Sequence, residues 1–249
     1  MEENFARKET KYLLTLTQAA QLEMSLMRHG FEHADFGSPK VQSLYYDTPD
    51  HALIRASLER PAYKEKLRLR AYGEPGNITR SFVEVKKKYL GVVYKRRTVL
   101  PLDEAMEGLR RGQLPEAAGQ VGREAVWMAR RYSLVPAAVI IYDRSAWFSK
   151  EHPDVRLTFD RNLTFRDWAP DLNSRAGGLS LLPADRRLME IKTGGIYPLW
   201  LARMLEEAGA RRVHFSKYGL AYTRFIQPEK KELEGSRANC LTASLLRGA

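Results

Sequence analysis

In stretch after stretch of this chain apolar and charged residues alternate, and because successive strand side chains point to opposite faces, each stretch reads as a strand with one greasy and one charged side. In Tyr63-Lys64-Glu65-Lys66-Leu67-Arg68-Leu69-Arg70-Ala71-Tyr72, Lys64, Lys66, Arg68 and Arg70 share one face while Leu67, Leu69 and Ala71 share the other. The pattern returns in Phe82-Val83-Glu84-Val85-Lys86, Arg156-Leu157-Thr158-Phe159-Asp160 and Met189-Glu190-Ile191-Lys192-Thr193, where each polar face mixes a carboxylate with a base. One charged strand face is ordinary surface. Repetition in most strands points instead to faces turned toward one another around a wet, cationic interior suited to a chain of phosphates.

The spacing predicts strands over 5–15, 40–47, 62–72, 79–89, 91–100, 136–149, 154–167 and 186–193, with a tight hairpin at Leu90-Gly91. Helical spacing predicts a helix capped by Thr17 and ending near Gly30, amphipathic helices over 103–111 and 117–132, one opened by Pro198 and a last one that begins after Phe215 and runs to about Ile226. Asp47-Thr48-Pro49-Asp50 is a turn or helix start. Strands that alternate argue against a parallel doubly wound sheet, whose strands would be uniformly apolar, and for a closed antiparallel barrel. The expected fold is α+β: a closed eight-stranded antiparallel β-barrel with a polar lumen, covered outside by helices. Residues 1–227 are expected to form the one domain and 228–249 a charged, loosely held tail.

Composition sharpens this picture. The 249 residues are 44% hydrophobic, as in an ordinary globule, and carry a net charge of +11, so the partners are anionic. No apolar run reaches transmembrane length and the first residues lack the regions of a signal peptide, so the expectation is a cytoplasmic protein with no transmembrane segment. The lone Cys240 excludes an internal disulfide and a thiolate metal site. Phosphate-loop and dinucleotide glycine signatures are absent. His29-Gly30-Phe31-Glu32-His33 matches the inverted zinc-peptidase pattern, but its glycine falls where a helix should stop, so a helix end with surface histidines is the better reading. Nucleic acid is not expected as a partner, because the strands show no exposed aromatics for base stacking and the charge alternates with core residues.

Taken in order, Arg7-x-Glu9-x-Lys11-Tyr12, Tyr45-Tyr46-Asp47-Thr48-Pro49-Asp50, Lys66-x-Arg68-x-Arg70, Val83-Glu84-Val85-Lys86 with Tyr94-Lys95-Arg96-Arg97, Tyr142-Asp143-Arg144, Arg156-Leu157-Thr158-Phe159-Asp160, Glu190-Ile191-Lys192 and Phe215-Ser216-Lys217-Tyr218-Gly219 resemble the VTC domain. That is the polyphosphate polymerase domain of the vacuolar transporter chaperone complex, a branch of the triphosphate tunnel metalloenzymes. The resemblance spans roughly residues 5–222 and implies an eight-stranded tunnel that binds ATP or another triphosphate and inorganic polyphosphate. It implies catalytic roles for Lys11, Arg68, Arg70, Lys86, Arg144 and Glu190, with Glu190 holding Mn²⁺ or Mg²⁺. Substrate would also be held by Arg7, Glu9, Lys66, Glu84, Lys95, Arg97, Tyr142, Arg156, Lys192, Ser216 and Lys217. Ser216 and Lys217 would present a helix N-terminus to the anion.

The hydrolase branch resembles Glu-x-Glu-x-Lys at its first strand, where this chain has Arg7. That departure favours a metal-dependent polymerase that moves the terminal phosphate of ATP onto polyphosphate, over a tripolyphosphatase or nucleoside triphosphatase. A non-catalytic polyphosphate-binding module is the third reading. In any of them the lumen cations are expected to repel one another while the passage is empty.

Overall fold

A computed structural model describes residues 8–34, 40–90, 92–195 and 197–228. Arg7, the tail beyond residue 228 and its Cys240 lie outside the described residues. The chain begins with β1 (Lys8–Thr15), α1 (Leu16–Arg28), β2 (Glu32–His33), β3 (Lys40–Asp47) and α2 (Ala52–Leu58). There follow β4 (Tyr63–Tyr72), β5 (Arg80–Tyr89), β6 (Val92–Pro101), α3 (Leu102–Arg111) and α4 (Gly119–Arg131). The second half holds β7 (Val135–Phe148), β8 (Arg156–Arg166), β9 (Leu179–Ser180), β10 (Arg186–Thr193), α5 (Leu199–Glu207), β11 (Arg212–Val213) and α6 (Lys217–Ala221), which continues as a wider helical turn over Tyr222–Ile226.

The strands form one antiparallel sheet of 11, in the order β11-β1-β10-β8-β7-β3-β4-β5-β6, with β2 added to β7 and β9 to β8. The expected closed eight-stranded barrel is therefore corrected to an open sheet. The two end strands cannot seal it: β11 is two residues long and pairs with β1 only at Lys11 and Tyr12, and β6 pairs with β5 alone among the described strands. The sheet nevertheless curls enough to bring Glu9 of β1 within electrostatic reach of Lys86 of β5.

Alternation decides what each face packs against. Leu67, Leu69 and Ala71 of β4 are fully buried on the convex side, joined by Val83 and Val85 of β5 under α3 and α4. Each leucine so removed from water contributes about 1.5–3 kcal/mol. The convex faces of β1, β8 and β10 pack in the same way under α1 and α5. Glu65 lies on that apolar side of β4 and is made tolerable by hydrogen bonds from Tyr132 (2.5 Å) and Tyr63 (2.8 Å). A third cluster sits on the concave side, where Tyr218, Ala221, Tyr222 and Ile226 pack on Tyr45, Ile140, Tyr142 and Leu188, so the C-terminal helix fills part of the hollow.

Helix α1 starts two residues earlier than expected. Thr15, not Thr17, is its cap, in a reciprocal capping box with Gln18. His29 ends the helix and Gly30 takes a left-handed φ of 69°, while Glu32 and His33 are on β2, so the two imidazoles do not share a helix face.

Candidate functional site

The concave face carries the polar half of every alternating strand. Register makes this concrete, since directly opposed residues of an antiparallel pair share a face. Arg68 opposes Glu84, which opposes Arg97; Lys66 opposes Lys86, which opposes Lys95; Lys11 opposes Glu190, and Glu9 opposes Lys192, which opposes Arg156.

Two carboxylate-centred clusters organise these cations. In the first, Glu84 is 1% exposed and takes Arg68 at 2.6 Å and Lys95 at 2.7 Å, with Arg70 Nε at 3.9 Å. Burial pushes the Glu84 carboxyl up, but Arg68, Arg70 and Lys95 outweigh it and hold the group at about 2. Arg70 Nε is buried and has no hydrogen-bond partner among the described residues, leaving a donor for an incoming oxygen. In the second cluster, Glu190 Oε1 faces Lys217 at 2.9 Å and Lys11 at 3.4 Å, and Oε2 accepts from Arg144 at 2.9 Å. Arg144 also forks onto Asp160 at 2.6 and 2.8 Å, and Lys217 reaches Asp160 at 2.6 Å. Burial opposes the charge on Glu190, yet Lys217, Arg144 and Lys11 hold it well below the usual carboxylate range. Tyr142 supplies the floor, its ring centre 4.6 Å from Lys217 Nζ and 5.1 Å from the Arg144 guanidinium.

Between the clusters stand lysines with less compensation. Burial, together with Lys86, Lys64 and Lys11, brings Lys66 down to about 8 despite the opposing pull of Tyr45. Burial also brings Lys95 down to about 8 against Glu84. Lys86 and Lys192 are lowered as well, first by burial. Arg97 stacks over Phe82 at 4.9 Å, and Arg156 is exposed at the start of β8. Ser216 is used locally: its hydroxyl caps α6 by accepting from Gly219 at 3.2 Å, and this α-helix is only five residues long.

The site thus brings together most of the residues expected from the sequence, Arg7 lying outside the described residues. Two were missed. Asp160, with no exposed surface, was placed on the polar face by parity with Arg156 but was given no role in the site. Tyr45 could not be found by parity, because its place beside Arg68 follows from the register between β3 and β4. The expected absence of exposed strand aromatics is also corrected: Tyr72, Tyr89 and Tyr94 are each about half exposed at strand ends and on the β6 edge.

The donors suited to a cation are the oxygens of Glu9 and Glu190, the type that Mg²⁺ and Mn²⁺ prefer. Lys11 lies between them, 3.4 Å from each, and no three His, Cys, Asp or Glu residues gather into a cage among the described residues. Both oxygens of Glu190 are paired with Lys11, Lys217 and Arg144, so a hard cation would be held there only as those groups turn away, with phosphate supplying its other ligands.

A family model described as the VTC domain matches residues 6–226. The chain belongs to the VTC domain family. Among solved structures this VTC domain is similar to a candidate adenylate cyclase from Bacillus halodurans, at 15% identity and a TM-score of 0.50 over 88% of this chain and 98% of that one. It is also similar to a candidate adenylate cyclase from Vibrio parahaemolyticus (15% identity, TM-score 0.47, 86% and 96% covered). A third is a protein from Pyrococcus horikoshii (13% identity, TM-score 0.46, 87% and 99% covered). No curated protein matches the chain. The VTC match supports a function related to triphosphate or polyphosphate, and no described helix is long and apolar enough to cross a membrane.

Proposed function

We propose that this VTC domain is a metal-dependent polyphosphate polymerase that transfers the terminal phosphate of ATP onto inorganic polyphosphate. The observation that carries the reading is the pair of buried carboxylates, Glu84 and Glu190, each ringed by cations on facing parts of one concave surface. Phosphoryl transfer needs little covalent chemistry from a protein; it needs the phosphates held in line and the charge on the moving group offset. Arg68 and Arg70 would grip the donor through paired guanidinium contacts, and Lys11, Arg144 and Lys217 would turn from Glu190 and Asp160 toward the more highly charged phosphates. The bond from the terminal phosphorus to the bridging oxygen breaks, ADP takes that electron pair, and a terminal oxygen of the acceptor chain forms the new phosphoanhydride. Glu190, with Glu9, would hold Mg²⁺ or Mn²⁺, which when bound neutralises charge on the phosphate oxygens. Lys66, Lys86 and Lys192 would keep the acceptor in register.

Arg7 stands where the hydrolase branch has a further carboxylate, which supports polymer as product over free phosphate. Incubation with ATP and Mn²⁺ should give ADP and long polyphosphate on a gel. Free phosphate with no polymer under any divalent metal would replace this reading with a triphosphatase, and turnover of neither kind, with binding intact, would leave a binding module.

A further inference from the structure

Tyr45 lies on the concave face with its hydroxyl 3.0 Å from Arg68 Nη1, which donates to it, and with the Arg68 guanidinium 5.7 Å from its ring centre. Its ring stacks on Tyr218, centroids 4.9 Å apart. Tyr218 in turn donates to Asp47 at 3.0 Å, and His51 Nδ1 is 3.1 Å from the same hydroxyl. Asp47 has no exposed surface and also accepts from the main chain of Thr48, Leu53 and Ile54, so the phenol is fixed by a chain running back to the start of α2. Arg68, Arg70 and Lys66 face Tyr45 from β4, Lys86 and Glu84 from β5, Tyr142 from β7 and Tyr218 from α6.

Burial opposes ionisation of Tyr45, but Arg68, Arg70 and Lys66 outweigh it and bring the hydroxyl down to about 8. Its neighbours go the other way. Tyr46, on the opposite face, is driven up by burial and its hydroxyl has no partner among the described residues; Tyr218 is driven up by burial and by Asp47. The tyrosine that faces the cations is the one whose charge they favour.

We propose that Tyr45 is an internal counter-anion of the empty lumen, a fraction of the ligand-free molecules carrying its phenolate against the β4 cations until a polyphosphate takes over that role and Tyr45 recovers a proton from solvent. This rests on the reading that the lumen binds polyphosphate. The step is a protonation: one O–H bond forms, one proton leaves the medium and no electrons change hands. The reprotonated hydroxyl, still anchored by Tyr218, becomes a donor where it had been an acceptor.

The test uses the full chain and the near-ultraviolet absorbance of phenolate. A pH titration of the ligand-free protein should show one tyrosine about half ionised at pH 8, absent in Tyr45→Phe, a change that keeps the ring and its stack. Saturating tripolyphosphate at that pH should abolish most of this signal in the wild type and change nothing in Tyr45→Phe, while calorimetry confirms that both proteins bind it. Phenolate appearing only above pH 10, or surviving saturation, overturns the proposal. An equal signal in Tyr45→Phe does so too, by placing the charge on another residue. If tripolyphosphate does not bind at all, the functional reading falls and the discharge of Tyr45 with it, whereas normal binding with no low-pH phenolate removes the Tyr45 proposal alone.

Discussion

Replacing Glu84 by Gln asks whether a basic hollow of this kind needs anions built into its wall. Glu84 is 1% exposed and its partners hold its carboxyl down from 4.5 to about 2, which at about 1.4 kcal/mol per pKa unit corresponds to about 3 kcal/mol of stability. Removing one member of a buried ion network costs about 3–5 kcal/mol by mutation, so the two routes agree. In a domain of this size each kcal/mol moves Tm by about 2–4 °C, so the ligand-free Glu84→Gln protein should melt about 6–12 °C lower at pH 7. Because the folded value lies below the unfolded one, the contribution is complete above pH 4.5 and is lost as pH falls through about 2, and the two proteins should converge in stability across that window. A bound polyanion supplies the missing charge, so tripolyphosphate should raise the Tm of Glu84→Gln by more than that of the wild type. Thermal melts of both proteins, with and without tripolyphosphate and at matched ionic strength, decide the matter. Equal melting temperatures without ligand, or equal ligand-induced shifts, would show that Glu84 does not balance Arg68, Arg70 and Lys95.

Glu190→Gln should abolish metal-dependent turnover while metal-free tripolyphosphate binding, followed by calorimetry, stays the same or tightens, since Lys11, Arg144 and Lys217 are released; a large loss of binding would refute this. Tripolyphosphate affinity should fall as pH rises through about 8, where Lys66 and Lys95 lose their protons, and a flat profile from pH 7 to 9 would place those lysines outside the binding surface. Arg166, fully buried, donates to the carbonyls of Ala169, Asp171, Ser174 and Ala176. The four carbonyls belong to exposed or half-buried loop residues that water can reach, so Arg166→Met should cost about 1–3 kcal/mol in denaturant melts yet leave the KM of the surviving enzyme unchanged.

Much of this was legible in the sequence because a period of two is local. The parity of Lys66, Arg68 and Arg70 against Leu67, Leu69 and Ala71 put the right side chains on the right face before any partner strand was known. Closure was not legible, since it depends on whether the ends of the sheet meet, and nothing within β6 or the two residues of β11 encodes that. The cations of the hollow are also not bare: Lys66 and Lys86 still act against one another, but others are paired with carboxylates. Glu84, Glu190 and Asp160 sit among them, and their positions relative to Arg68, Arg144 and Lys217 are products of register and of the C-terminal helix folding back into the hollow. Tyr45 was hidden for the same reason: in the sequence it is one of two adjacent tyrosines, and only pairing distinguishes the one beside Arg68 from the one in the apolar layer.

The unsealed side between β6 and the short β11 changes how a polymer could load. A pipe accepts thread only at its ends, so every guest must offer a free terminus and be drawn along its whole length. A split sleeve can take its guest sideways. No described strand pairing would have to break here, and the cations that face the hollow, Lys66, Lys86 and Lys192 among them, would draw a polymer in along its length. For a polyphosphate hundreds of units long the middle of the chain would then be as good an entry point as its tip, and circular or end-blocked polyphosphates should compete for the lumen as well as linear ones of equal charge.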